Sequence, residues 1–334
     1  MAPLIQRLDV LVKTFRCLAA LLVAVLAAGC VSSVLSVDQK STQPIPAKLQ
    51  GEMSKKGMSQ ASPILVRIFK EESELEVWKR NRSGKFALLK TYPMCRWSGK
   101  LGPKTKTGDR QAPEGFYHVN AGMLNPNSQY YLSFNLGYPN KLEAALGYTG
   151  EALMVHGACS SSGCFALTDE GVAEIYATAR EALKAGQPSF QVQAYPFRMT
   201  AQKMARSRND ANYAFWSDLK RGYDIFETTR RQPKVSYCGG RYVFDADFPG
   251  GEPASPLAAC PETVPAALVA NAAPALDQTT TASFHAYSDG GMHPSFRKML
   301  ASKGEKALSQ ETSLTQVPIS RPAAALADPH NPSD

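Results

Sequence analysis

Residues 154–164, Met-Val-His-Gly-Ala-Cys-Ser-Ser-Ser-Gly-Cys, constrain this chain more than any other stretch. An imidazole at His156 and a thiol at Cys164 stand eight positions apart in a run of small residues. The apolar residues 152–155 read as a strand that ends at the histidine. Beyond the thiol, Thr168 is a good N-cap, and Asp169 and Glu170 suit the positive end of a helix dipole. The fold must therefore join a strand end, a small-residue loop and a helix start in one unit. That arrangement puts the thiol roughly one turn before the helix, where the dipole favours thiolate. A thiolate is a strong nucleophile, and a neighbouring imidazole generates it by accepting the proton. Small residues let backbone N–H groups approach a reacting carbonyl. The competing reading is an inert buried thiol beside a core histidine.

The flanking segments supply a scaffold. Ile64–Phe69 has strand composition, and residues 75–78 and 86–89 follow as short strands around the turn residues Asn81-Arg82-Ser83-Gly84. Residues 98–113 read as a long loop, and 115–119 and 130–134 as further strands. After the Thr168 cap, Val172, Ile175, Tyr176, Ala179 and Leu183 share one helical face, which ends near Lys184 and Gly186. Residues 191–195 return as a strand, and 210–229 read as a second helix weakened by Gly222. Residues 235–244 form one more strand or hairpin. The expected organisation is a lipoprotein-type signal peptide over 1–30, a flexible tether over 31–62, a catalytic domain over 63–245 and an Ala/Pro-rich, largely disordered tail over 246–334. Within that tail, 296–308 read as a short helix interrupted by Gly304.

The amino-terminal reading rests on Arg7, Lys13 and Arg16 followed by an apolar run from Leu18 to Ala28, too short to span a bilayer comfortably. The run ends at Leu26-Ala27-Ala28-Gly29-Cys30, which resembles a bacterial lipoprotein cleavage box with Cys30 as the lipid-bearing residue. Ordinary cleavage nearby is the alternative. Either way the chain is expected to be exported to the cell envelope, with a membrane anchor for which the outer membrane is favoured. Of seven cysteines, Cys17 lies in the signal and Cys30 at the anchor, leaving five. An odd count in an oxidising compartment suggests one free thiol. If that thiol is Cys164, three connectivities remain for Cys95, Cys159, Cys238 and Cys260; Cys95–Cys159 with Cys238–Cys260 is the expected one. Cys159 alternatively reads as a resolving thiol that switches Cys164 off by oxidation.

The net charge of +8 is spread without a long Lys/Arg run or a recognisable nucleic-acid module, so no nucleic-acid partner is expected. His118, His285 and His293 lack metal-ligand spacing, and no metal or organic cofactor is expected.

The pattern His156-Gly157-x-Cys159-Ser160-Ser161-x-Gly163-Cys164-Phe165-Ala166-x-Thr168-Asp169-Glu170 resembles the catalytic segment of L,D-transpeptidases of the YkuD type, in particular their YafK-like branch. Residues 95–104, 113–117, 135–140 and 222–224 agree with that branch, so the resemblance covers roughly residues 62–245. It implies a mixed α+β, mainly β fold, a sandwich or barrel with helices after the cysteine and towards the C-terminal side. It implies that Cys164 is the nucleophile, His156 its general base, the Gly157 carbonyl the group orienting His156, and the N–H groups of Gly163 and Cys164 the oxyanion hole. Ser162, Tyr117, Tyr138 and Arg96 become candidate substrate contacts, with Lys104 as a second candidate cation. Ser162 stands where most of the family has histidine and Ala166 where most has Asn or Arg, which leaves the acceptor open. The implied activity is transpeptidation of peptidoglycan stem peptides through a Cys164 thioester by a monomer. The alternatives are a hydrolase of the same fold that releases wall-linked groups and a non-catalytic wall-binding lipoprotein.

Overall fold

The computed structural model of the chain describes residues 39–261 and 290–313. In chain order its elements begin with α1 (Ala47–Lys55), β1 (Ile64–Phe69), β2 (Glu74–Arg80), β3 (Phe86–Pro93), β4 (Arg96–Ser98) and β5 (Gly115–Val119). A short 3₁₀ turn leads to β6 (Leu124–Asn125), β7 (Ser133–Asn135), α2 (Lys141–Ala145), β8 (Met154–His156), β9 (Phe165–Ala166) and α3 (Asp169–Lys184). The remainder is β10 (Phe190–Tyr195), α4 (Ala201–Arg206), α5 (Tyr213–Thr229), β11 (Val235–Cys238), β12 (Arg241–Phe244), β13 (Gly290–Gly291) and α6 (Pro294–Thr312). The expected mixed, mainly β architecture is therefore present.

One sheet runs β3-β2-β1-β10-β5, and a second runs β13-β4-β9-β8-β7-β6. In the first, β1 and β10 are parallel and the other pairs antiparallel. Both faces of this sheet are covered, which explains the nearly unbroken apolar run of β1. Ile64, Val66 and Ile68 face a core shared with Phe134, Val155 and Phe165 of the second sheet and with Val172 and Ile175 of α3. Phe69 joins Phe116 and Tyr195 against Trp216, Leu219 and Tyr223 of α5. Gly222 lets α5 lie this close: a Cβ there would sit 2.5 Å from both Phe116 and Phe244. The glycine that lowers helix propensity thus serves packing.

Buried charge fixes two further parts. Arg67, on the α5 side of β1, lies over the rings of Phe69, Tyr195, Tyr223 and Phe226 and pairs with Glu227 at 2.6 Å. Lys70 is fully buried. It meets Glu114 at 2.9 Å and the carbonyls of Lys100, Gly102 and Ala112 at 2.6–3.2 Å. A single ammonium therefore ties the loop between β4 and β5 to the end of β1.

Three expectations change. Residues 47–55, read as part of a flexible tether over 31–62, form α1, with Ile45, Leu49, Met53 and Met58 in the main core. Pro46 supplies no capping side chain and the first turn has no acidic residue, so the usual start signals are missing. Residues 246–261 are also structured: Ala246 and Phe248 pack beside the Cys238–Cys260 bridge. α6 extends the expected 296–308 helix to Pro294–Thr312, with Gly304 breaking its backbone regularity as expected (φ 79°). Residues 1–38, which carry the signal and Cys30, and residues 262–289 and 314–334 lie outside the described residues.

Candidate active site

β8 and β9 run parallel, with Val155 opposite Phe165 and His156 opposite Ala166. Strand alternation then puts Cys164 on the side of this pair that carries His156. The Met154 N–H donates to Cys164 Sγ at 3.4 Å, which fixes the sulfur against β8. Cys164 is the free thiol among the described residues; Cys95–Cys159 and Cys238–Cys260 are bridged, as expected. Cys159 is thus a disulfide partner, not a resolving thiol.

His156 is 3% exposed, and its Nδ1 lies 2.5 Å from the Gly157 carbonyl. A carbonyl only accepts, so Nδ1 carries the hydrogen and Nε2 keeps a lone pair able to accept a proton. Burial pushes the imidazole down to about 4, against the opposing effect of that carbonyl. Gly157 has no room for a side chain: a Cβ would lie 2.5 Å from Asp169 Oδ1 and 2.9 Å from the Tyr130 carbonyl. Asp169, the first residue of α3, is buried and accepts the Ala158 N–H at 2.8 Å. The helix start thereby holds the backbone that orients the imidazole. The Thr168 hydroxyl caps α3 by accepting the Gly171 N–H at 3.0 Å.

The thiol does not sit at a helix terminus. β9 lies between Cys164 and α3, and burial pushes the thiol up, outweighing the Met154 N–H and the Lys104 charge that favour thiolate. Both shifts favour the neutral thiol and the neutral imidazole over the separated ions. Ser161, a matched position of the motif with no role assigned to it from sequence, anchors the cysteine. Its hydroxyl donates to the Cys164 carbonyl at 2.6 Å, takes the Cys164 N–H at 3.2 Å and lies 2.8 Å from Ser98 Oγ. The Cys164 N–H is therefore engaged and not open as expected for an oxyanion hole. The Gly163 N–H makes no hydrogen bond among the described residues. Gly163 adopts φ +108°, with a would-be Cβ finding only ordinary contacts at 3.9 Å, so backbone conformation requires this glycine.

Cys164 opens on a cavity of about 220 Å³ lined by Lys104, Thr107, Arg110, Ala152, Leu153, exposed Ser162 and Gly163, among others. Ser162 thus lines the cavity beside Cys164. Lys104 is held by Asp109 and by the Lys106 carbonyl. Tyr117 is corrected: it is 1% exposed and donates to Glu143 at 2.7 Å inside the core. Tyr138 is also buried; its hydroxyl donates to the Lys104 carbonyl at 3.0 Å, so it supports the cavity wall from behind. Arg96 points elsewhere and pairs with Glu305 of α6 at 3.2 Å. Aromatic and cationic side chains suit a peptide cleft, but core packing claims Tyr117 and Tyr138, and the ion pair with Glu305 claims Arg96. One neighbour is absent from the sequence reading of the site: the Tyr130 ring lies 4.7 Å from that of His156, and burial, with a smaller contribution from the nearby Cys164, pushes its hydroxyl up. Tyr130 was read as strand, with nothing local to mark its partner. No group of three His, Cys, Asp or Glu residues able to hold a metal occurs among the described residues.

A domain of two larger sheets and a β11–β12 hairpin, with a free thiol and a carbonyl-held imidazole on adjacent parallel strands, defines a cysteine-centred site on an α+β scaffold. Family comparison makes the class specific: the YkuD family, described as the L,D-transpeptidase catalytic domain, matches residues 64–228. The chain belongs to this L,D-transpeptidase family. It is 43% identical over 225 residues to the Escherichia coli K12 protein named "Putative L,D-transpeptidase YafK", covering 67% of this chain and 89% of that relative. Among solved structures it resembles the helical cell shape determining protein Pgp2 of Campylobacter jejuni at 18% identity and TM-score 0.32, covering 57% of this chain and 80% of that one. Bdellovibrio bacteriovorus Bd1075 resembles it at 16% identity and TM-score 0.31, covering 52% and 76%.

Proposed function

We propose that this protein is a cysteine-dependent L,D-transpeptidase that acts on peptidoglycan stem peptides through a thioester on Cys164. The observation that carries the reading is the one free thiol among the described residues, at the wall of the cavity and on the strand pair that carries a carbonyl-held imidazole. In the forward half-reaction, His156 Nε2 accepts the thiol proton as sulfur attacks the peptide carbonyl at the L-centre of diaminopimelate. The C–N bond breaks, the proton passes to the departing amine, and the acyl group remains on sulfur. An acceptor amine then attacks the thioester, gives a proton to His156, and returns the thiol. The Gly163 N–H supports the developing oxyanion.

The same reading places the chain in the cell envelope, with Cys30 lipidated. Intact mass of the mature amino terminus tests that part: an acylated Cys30 supports it, and an unmodified terminus elsewhere overturns it. The activity is tested with purified muropeptides, Cys164→Ala as control, and intact mass spectrometry after a carbapenem-type acylating agent. The expected result is one adduct on Cys164 and heavier cross-linked products. Wall-linked groups released without heavier products would establish hydrolysis instead. No adduct and no change in the muropeptides would overturn both.

A further inference from the structure

Residues 290–313 lie outside the matched family region, 64–228, yet touch both anchors of the loop between His156 and Cys164. β13 pairs with β4, Gly290 opposite Ser98 and Gly291 opposite Trp97. A Cβ would lie 2.2 Å from the Trp97 carbonyl oxygen at Gly290 and 2.2 Å from its indole nitrogen at Gly291, so the glycines let the segment lie flat on β4. Ser98 is the residue whose hydroxyl meets Ser161, the anchor of the Cys164 backbone. α6 then lays Phe296 and Leu308, with Met292, on the Cys95–Cys159 bridge, which holds the loop from the other side. At the end of the segment, Ser313 Oγ donates to Asp169 Oδ2 at 3.1 Å. The other oxygen of that carboxylate accepts the Ala158 N–H, next to the carbonyl that orients His156.

We propose that residues 290–313 form a clasp that sets the geometry of His156 and Cys164, with Leu308 and Ser313 as positioning residues. The proposal rests on the reading of Cys164 and His156 given above. The loop holds Ala158 at φ +53°, a conformation that an alanine keeps only under outside restraint. The clasp restrains it through Asp169 and the disulfide. A misplacement of about 1 Å between reacting groups costs on the order of a hundredfold in rate.

The test compares the full chain with Ser313→Ala, Ser313→Thr and Leu308→Ser, reading muropeptide kcat and KM, the pH profile of Cys164 alkylation by iodoacetamide, and thermal melting. Ser313→Ala and Leu308→Ser are expected to lower kcat about tenfold or more with KM within about twofold, and to shift the alkylation profile. Ser313→Thr restores both. Unchanged kcat and an unchanged profile in Ser313→Ala overturn the clasp; should Leu308→Ser melt without cooperativity, Ser313→Ala decides alone. If the unaltered chain turns over no muropeptide, the proposed function fails while alkylation still decides the clasp: a shifted profile supports it and an unshifted one refutes it.

Discussion

Burying His156 as a neutral base has a thermodynamic consequence that can be measured away from any substrate. The folded chain holds this imidazole near a pKa of about 4, against an ordinary value of 6.5, because it is 3% exposed. The unfolded chain therefore takes up a proton at His156 before the folded chain does. The associated stability is complete above about pH 6.5, declines as pH falls, and stops changing below about pH 4. At about 1.4 kcal/mol per pH unit the full loss is about 3 kcal/mol, of which about 2 kcal/mol has gone by pH 5. His156→Gln removes the titration while keeping a side chain that can donate to the Gly157 carbonyl. Other buried groups titrate too. Burial raises Glu143 to about 8 and Asp218 to about 6, so each adds stability as pH falls, but both are present in the two proteins and cancel in the comparison. Denaturant unfolding of both proteins at about pH 7.5 and about pH 5 should show the unaltered chain losing about 2 kcal/mol more than the variant. Equal losses would show that the imidazole is not held neutral by burial, and the assignment of a ready base would fail with it.

Because burial pushes the Cys164 thiol up, its iodoacetamide alkylation should rise about tenfold per pH unit between roughly pH 6 and 9. A rate plateau from about pH 5 to 7 would instead reveal a preformed thiolate–imidazolium pair. Gly157→Ala forces a Cβ to within 2.5 Å of Asp169 and should displace the carbonyl that orients His156. The expected cost is about 1–3 kcal/mol of stability and on the order of a hundredfold in muropeptide kcat, and turnover within about twofold of the parent would count against the carbonyl's role. Lys70→Met leaves the buried Glu114 carboxylate without its ammonium. Denaturant titration should show a loss of about 3–5 kcal/mol, and a loss under about 1 kcal/mol would mean that the ion pair does not hold the cavity loop.

How much of this was legible in the sequence depended on whether the determining physics was local. β1, β5 and α3 follow from composition, periodicity and one capping threonine, and they match closely. The Gly157 carbonyl as partner of His156 was legible only through the family resemblance, and the structure places it 2.5 Å from Nδ1. α1 was not: its buried face rests on Leu49 and Met53, four residues apart in a polar stretch, and only the finished core makes that face meaningful. The roles of Tyr117, Tyr138 and Arg96 failed for a related reason. Each has side-chain chemistry suited to a cleft, but the partner that claims it, Glu143, the Lys104 carbonyl or Glu305, lies 26, 34 or 209 residues away, and no local pattern reveals it. The site contacts of Ser161, Asp169 and Tyr130 were not legible, because their partners come from β4, from the residue after Gly157, or from the ring of His156, and no spacing encodes those meetings.

The placement of the thiol on a strand end, and not at a helix start, also changes what the site must do on the proposed reaction. An imidazole lowered to about 4 beside a thiol that burial raises disfavours the separated ions, and mutual attraction in the pair returns only part of that cost. Substrate cannot wait for a standing thiolate. Proton transfer to Nε2 has to accompany formation of the sulfur–carbon bond, so the energy that ionises the pair comes from the new bond and from the Gly163 N–H meeting the oxyanion. A neutral pair spends little of its time as reactive thiolate, which limits stray oxidation. Rate then depends on how accurately the imidazole and sulfur are aligned, since there is no long-lived charge to pull them together. This is why the restraints around the loop are numerous: Ser161 with Ser98 at one end, Asp169 and the Cys95–Cys159 bridge at the other, and a C-terminal segment laid across both.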